Sequence, residues 1–262
     1  MCLILFEFDP ESDFPLVVAA NRDELYARPS QPAHFWDDES GVFAGRDLEA
    51  GGTWLGVSRC GRFSAVTNFR GPSPAEATLS RGTLVRDYLV SGQSPGEYLG
   101  GVARNRDQYA GFNLLVGDAS ELMCFSNRED QSVKIAPGVH GLSNGSLDEP
   151  WPKVTAGREA LSLLLREELA DDIVRDDTLL ALQGVLLDDT PASLSTLPDT
   201  GIGEEAEQLL SPRFIVTPGY GTSVTTVLRI SKTGELEWLE QWFNADGPLD
   251  EVKIHRMQLE QA

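Results

Sequence analysis

Cys2 occupies the second position of the chain, where removal of the initiator Met leaves a thiol and a free α-amine on one residue. Such an amine titrates near pH ~7.7–8.0 and can accept the thiol proton, so one residue supplies both nucleophile and general base. The tetrad Asn21-Arg22-Asp23-Glu24 adds groups suited to that chemistry. A cation beside a thiol favours the thiolate, a role for Arg22, and a carboxylate can hold an ammonium or amine, a role for Asp23. Each residue also has a purely structural reading. Cys2 suits a small core position, Arg22 and Asp23 suit a surface ion pair, and Glu24 suits pairing with Arg28 or Arg46 without catalytic duty.

The elements that would position these groups follow from pattern. Residues 2–8 are β-branched, aromatic and almost continuously apolar, as in a strand covered on both faces. A turn cluster at 9–13 precedes a second strand at 16–20, so two adjacent strands bring the tetrad back beside Cys2. A hairpin is expected over 54–67, ending at Asn68, with Gly51-Gly52 giving a turn or close backbone packing. Apolar spacing predicts helices over 79–90 and 95–106, the second capped by Ser94 with Pro95 in its first turn. A second hairpin surrounds Gly117-Asp118, and a short strand follows at 133–135. Helix returns over 151–181 with Leu161, Leu164, Leu165 and Leu169 as its core stripe. Residues 186–205 read as a surface connection, and late strands are expected at 213–216, 222–230 and 236–243. Residues 245–262 read as a peripheral tail of one domain spanning 1–262.

Strands and helices alternate in blocks, which suits antiparallel sheets with helices packed outside them. The expected class is α+β, a four-layer αββα sandwich of two mostly antiparallel sheets between helical layers. The length of 262 residues supports one substantial core, and hydrophobic residues at 41% with charged residues at 24% belong to a globular chain.

The formal charge of −20 repels phosphate backbones, so nucleic acid is excluded as an expected partner. No apolar run is long enough to cross a bilayer, and the apolar opening is broken by Glu7 and Asp9. The expectation is a cytoplasmic protein without stable membrane insertion. Cys2, Cys60 and Cys124 are widely spaced and fit reduced thiols, and His34, His140 and His255 form no metal motif. His140 precedes Ser143-Asn144 closely enough to line the same cleft. Gly201-Ile202-Gly203 imitates a dinucleotide fingerprint but follows Pro198-Asp199-Thr200 where a strand is required. The five tryptophans read as core or cleft walls.

A wider set of motifs narrows the reading. Asn21-Arg22-Asp23-Glu24, Gly45-Arg46-Asp47-Leu48, Gly51-Gly52-Thr53-Trp54-Leu55-Gly56, Thr67-Asn68-Phe69-Arg70, Gly141-Leu142-Ser143-Asn144 and Pro150-Trp151-Pro152-Lys153 together resemble the NRDE family, also called the Transport and Golgi Organization 2 family. The motifs run from the start of the chain to about Trp242. That family is similar in its implied fold to cysteine N-terminal-nucleophile hydrolases, which include bile salt hydrolases and penicillin V acylases. The resemblance implies Cys2 as nucleophile, Arg22 and Asp23 as orienting groups, Asn68 and Asn144 at the oxyanion, and Arg213 in support. Arg22 and Asp23 are adjacent here, where the acylases separate them, which allows their roles to be redistributed.

Two functions follow. One is hydrolysis of a non-peptide C–N bond, a linear amide, through an acyl-enzyme and without a cofactor. The other is a non-catalytic protein that binds or traffics a small apolar ligand such as haem or lipid on the same scaffold. Either takes a small molecule as partner.

Overall fold

The computed structural model describes residues 2–71, 78–168 and 175–260. Its elements run β1 (Cys2–Phe8), β2 (Leu16–Leu25), β3 (Ser30–Phe35), β4 (Val42–Asp47), β5 (Leu55–Ser58), β6 (Phe63–Asn68), α1 (Gly82–Val90) and α2 (Pro95–Arg104). They continue with β7 (Phe112–Gly117), β8 (Leu122–Ser126), β9 (Gln131–Lys134), β10 (Gly138–Leu142), α3 (Pro152–Glu168), α4 (Arg175–Gly184) and α5 (Glu204–Leu209). The last strands are β11 (Tyr220–Ile230), β12 (Glu235–Asn244), β13 (Gly247–Pro248) and β14 (Lys253–Gln258).

Two seven-stranded sheets result. The first has the order β10-β1-β2-β11-β12, with β13 and β14 both against β12; the second runs β3 to β9 in sequence order. Every named pairing is antiparallel.

Alternation along β1 explains its unbroken apolar character. Ile4, Phe6 and Phe8 enter the core between the sheets, with Val18, Phe43, Val57, Leu115 and Trp238. Leu3 and Leu5 point the other way, to Leu161 and Leu165 of α3 and Leu179 and Leu182 of α4. Across the second sheet, Leu84, Val85, Tyr88 and Leu89 of α1 and Leu99 of α2 pack on Val42, Val66 and Leu114. These three apolar layers make the αββα sandwich. Ser94 caps α2 in a capping box, its hydroxyl accepting from Glu97 N while Glu97 accepts from Ser94 N at 3.0 Å.

Several local expectations change. Within the helix expected over 151–181 the described residues form α3 and the start of α4, and residues 169–174, Leu169 among them, lie outside the described residues. No strand forms over 213–216; the segment makes one isolated bridge, Val216 to Gly221. Residues 245–262, expected as a tail, supply β14, which pairs with β12 from Glu235 to Glu240, and Leu259 closes the inter-sheet core. Strands β3, β4 and β10 were not apparent from pattern. In β3 the run Gln31-Pro32-Ala33 breaks alternation, and a register shift there accommodates Pro32 on an edge strand.

Candidate active site between the two sheets

Strand register builds the site. Cys2 lies directly opposite Arg22, Arg22 opposite Val224, and Val224 opposite Trp242. Residues directly opposite share a face, so this row crosses four strands of the first sheet on its inner face. The next row, Ile4, Ala20, Thr226 and Glu240, leads into the apolar core. A bulge between Thr222 and Val224 sets the register at the site. It frees Ser223, whose hydroxyl donates to Arg22 O at 3.1 Å and accepts from Arg22 Nη1 at 3.4 Å.

Above the row, where the apolar core ends, the sheets enclose a cavity of about 420 Å³. Cys2, Arg22, Asp23, Asn68 and Arg81 line its polar end, and Trp54, Leu55, Val66, Val224, Trp238 and Trp242 form apolar wall. One rim depends on glycine. A side chain at Gly52 would lie 2.5 Å from the Gly82 backbone, so only glycine lets the Gly51-Gly52 turn meet the start of α1.

Arg22 is buried and faces two carboxylates, Glu24 Oε2 at 3.5 Å and Asp47 Oδ2 at 3.6 Å. Arg28 Nε donates to the same Asp47 oxygen at 2.7 Å. Burial alone would raise the Asp47 carboxyl, but the Arg28 bond and the N–H groups of Glu49 and Ala50 outweigh it and hold Asp47 below its ordinary value. Glu24 thus lies near Arg22 and Arg28, whereas Arg46 pairs with Asp38 at 2.7 Å. Asp23 is buried and accepts the Thr222 hydroxyl at 2.7 Å, while its own carbonyl accepts from Tyr220 Oη at 3.1 Å.

Cys2 is only 6% exposed, and burial pushes its thiol pKa up; Asp23 adds to this, and the attraction of Arg22 does not offset it. Arg22 favours the thiolate, as expected of a cation beside a thiol, but burial is the larger effect. Cys124 is likewise buried, with its thiol pushed up to about 12, whereas Cys60 is exposed.

The two asparagines meet backbone to side chain. Asn68 lines the cavity, and Asn144 stands behind it with Nδ2 donating to Asn68 O at 2.7 Å. Asn144 O in turn accepts from Arg70 N at 2.6 Å, and Ser143 Oγ donates to Cys2 O at 3.1 Å. Arg213 is not brought to the cavity. Its guanidinium pairs with Asp188 at 2.8 Å, and its carbonyl accepts from Asn21 Nδ2 at 2.8 Å, next to Arg22 in β2. His140 also turns elsewhere: it bonds Asp148 Oδ2 at 2.7 Å and Ala136 O at 2.9 Å and stacks on Phe6.

Three charged residues near the site had no assigned role in the sequence. Arg81 lines the cavity, donates to Gly111 O at 3.1 Å, and makes no ion pair among the described residues. Arg70 is buried over the Trp151 ring at 4.7 Å and pairs with buried Glu207 of α5. Lys153 is buried at the start of α3. Arg70 and Lys153 sit in two of the quoted motifs, but nothing in a motif distinguishes a buried cation from a solvated one. Among the described residues no His, Cys, Asp or Glu cluster is arranged for a metal, and no helix is long and apolar enough to cross a membrane.

Fold and site define an αββα sandwich whose first strand presents a cysteine to a cavity between the sheets. The model of the family Transport and Golgi organisation 2 matches residues 1–245, and the chain belongs to that family. It is 34% identical to the Transport and Golgi organization protein 2 homolog of Bos taurus, covering 99% of this chain and 100% of the relative. Against the Homo sapiens homolog it is 33% identical, covering 92% of each chain. Among solved structures, a mutant conjugated bile acid hydrolase from Clostridium perfringens matches with a TM-score of 0.47 and 10% identity, covering 100% of this chain and 98% of the other. A Caenorhabditis elegans N-acylethanolamine-hydrolyzing acid amidase ortholog matches with a TM-score of 0.49 and 10% identity, covering 87% and 92%.

Proposed function

We propose that this chain is an N-terminal cysteine hydrolase that cleaves a non-peptide C–N bond, a linear amide, through an acyl-enzyme. The observation that carries the reading is the position of Cys2, a thiol at the polar end of a cavity large enough for a small molecule and directly opposite Arg22. Burial disfavours a free thiolate there, so the thiol needs a base in contact with it. The α-amine exposed by removal of Met1 is such a base.

In this reading the amine takes the thiol proton as sulfur attacks the amide carbonyl, forming the C–S bond and placing the electron pair on oxygen. Asn68 and Asn144 are the oxyanion residues: Asn68 faces the cavity, and Asn144 braces the Asn68 backbone. Collapse breaks the C–N bond, and the departing amine takes the proton back from the α-ammonium. Water, deprotonated by the same amine, then cleaves the thioester and restores the thiol. Asp23 holds the ammonium, Arg22 offsets negative charge on sulfur, and Arg213 acts at a distance by fixing Asn21 in β2.

The tryptophan wall favours a second reading, a binding protein for an apolar ligand such as haem or a lipid. Hydrolysis of a panel of N-acyl amides by the processed chain and by Cys2→Ala separates the two. Loss of turnover in the folded variant supports the hydrolase; undiminished turnover sinks it. Saturable haem or acyl-chain binding, unchanged by the substitution and accompanied by no hydrolysis in either chain, favours the second reading.

A further inference from the structure

The cavity holds a cation that the proposed chemistry leaves unused. Arg22, Arg28, Arg46 and Arg81 all line it. Three of them face carboxylates: Arg22 lies 3.5 Å from Glu24 and 3.6 Å from Asp47, Arg28 bonds Asp47 at 2.7 Å, and Arg46 bonds Asp38 at 2.7 Å. Arg81, just ahead of α1 and partly buried, makes no ion pair among the described residues. Its Nη1 donates to Gly111 O at 3.1 Å, and the same carbonyl accepts from Phe69 N at 2.9 Å. The guanidinium is thus pinned beside the residue that follows Asn68, with one neutral carbonyl as partner. A guanidinium has five donors, and a carboxylate takes two of them in parallel, so the capacity to hold an anion is left open. Burial lowers the Arg81 pKa, whereas bonded carboxylates raise those of Arg28 and Arg46.

The apolar wall extends across the first sheet from Cys2. Val224 and Trp242 continue the row that begins with Cys2 and Arg22, which puts Trp242 three strands from Cys2, about 14 Å at the usual strand spacing. Trp238 lines the cavity from the same strand, β12.

We propose that Arg81 determines the specificity of this cavity and that the substrate is an N-acyl amino acid: the carboxylate binds Arg81, the acyl chain lies along Val224, Trp238 and Trp242, and the amide stands between them at Cys2. The assignment rests on the reading of Cys2 as nucleophile. Sulfur attacks the acyl carbon, the C–N bond breaks, and the amino acid leaves with the returned proton on its nitrogen; water then releases the fatty acid from the thioester. A chain of formal charge −20 repels anions at long range, so an arginine not already matched by an acid decides whether an anionic head is held. One such guanidinium, with no second unpaired arginine beside it among the described residues, suits a singly charged planar carboxylate better than a phosphate dianion.

The test compares N-octanoylglycine with its neutral amide, N-octanoylglycinamide, by calorimetric titration of Cys2→Ala, in which turnover is absent. The acid is expected to bind about tenfold more tightly, a preference that Arg81→Gln in the same background reduces to about one through loss of affinity for the acid. Equal affinities, a preference unchanged in Arg81→Gln, or no saturable binding of the acid overturns the assignment. If Arg81→Gln does not fold, phenylglyoxal modification of the parent chain, mapped by mass spectrometry, reads the same contact: the acid protects Arg81 and the amide does not, and equal protection overturns the assignment. The hydrolase reading is tested separately, by glycine release from N-octanoylglycine with the processed chain. Selective binding without glycine release defeats that reading and leaves the Arg81 contact standing, whereas equal kcat/KM for acid and amide defeats the Arg81 assignment alone.

Discussion

Lys153→Met tests the energetics of the buried ammonium through stability. The folded chain holds Lys153 at about 8 against an ordinary 10.5. Below pH 8 the residue is charged in both states, and its desolvation cost is constant. Between pH 8 and 10.5 the folded state has released the proton while the unfolded state still binds it, so stability rises with pH across that window. The separation corresponds to about 3 kcal/mol. At pH 7 the substitution removes that cost but leaves the Leu210 carbonyl without its donor, a loss of about 1–3 kcal/mol. Lys153→Met is therefore expected to equal or modestly exceed wild type at pH 7 and to fall below it by pH 10.5. Urea unfolding at several pH values measures the difference between the two chains, in which the other titrating groups largely cancel. A difference that stays flat from pH 7 to 10.5 refutes the buried charge.

Asn21 is fully buried and its amide bridges Leu186 O and Arg213 O. Asn21→Leu strands both carbonyls and is expected to cost about 2–4 kcal/mol in urea unfolding; a loss under about 0.5 kcal/mol removes that clamp from the account. Arg81 brings a cation with no ion pair among the described residues to the cavity that holds Cys2, so Arg81→Gln should lower the ratio of iodoacetate to iodoacetamide labelling at Cys2 about threefold or more. The same ratio at exposed Cys60 should not move; an unchanged ratio at Cys2 shows that the Arg81 field does not reach the thiol. The bond to Asp148 raises His140 above its ordinary 6.5. Its contribution is fully present below pH 6.5 and is lost as pH rises through the folded value. His140→Gln should lack that decline in thermal unfolding between pH 6 and 8, and a wild-type profile in the variant counts against the bond.

Local pattern carried much of the fold and less of the site. Unbroken apolar character in β1 marks a strand covered on both faces, and Ser94-Pro95 marks the start of α2, because each signal is contained in a few neighbouring residues. The return of β2 to β1 is equally local, and it places Arg22 opposite Cys2. The edge strands lacked such signals. Pro32 interrupts β3 at a register shift, and β14 alternates around charged residues at the border of the sheet. At the site, Asn68 and Asn144 meet only because β6 and β10 belong to different sheets whose ends converge. The partner of Arg213 depends on the position of Asp188, and burial of Lys153 depends on α5 and its flanks covering the start of α3. None of these long-range choices leaves a trace in spacing.

In the proposed chemistry the convergence also explains why Cys2 lies at this end of the sandwich. Along the inner face of the first sheet, successive rows run from Phe8, Leu16 and Ile230 to Cys2, Arg22 and Val224, from closed apolar packing to a mixed row beneath the cavity. Glu240 marks the transition, both carboxylate oxygens accepting from Ala33 N where the β3 register shift leaves that group outside the ladder. Desolvation at this boundary raises the Cys2 thiol pKa and disfavours its free thiolate. The same desolvation makes an adjacent base effective, since a proton passed within the site creates a close ion pair and avoids an isolated buried anion. In the proposed chemistry, removal of Met1 thus does more than expose the thiol. It supplies the positive partner that Arg22, already facing Glu24 and Asp47, does not provide alone.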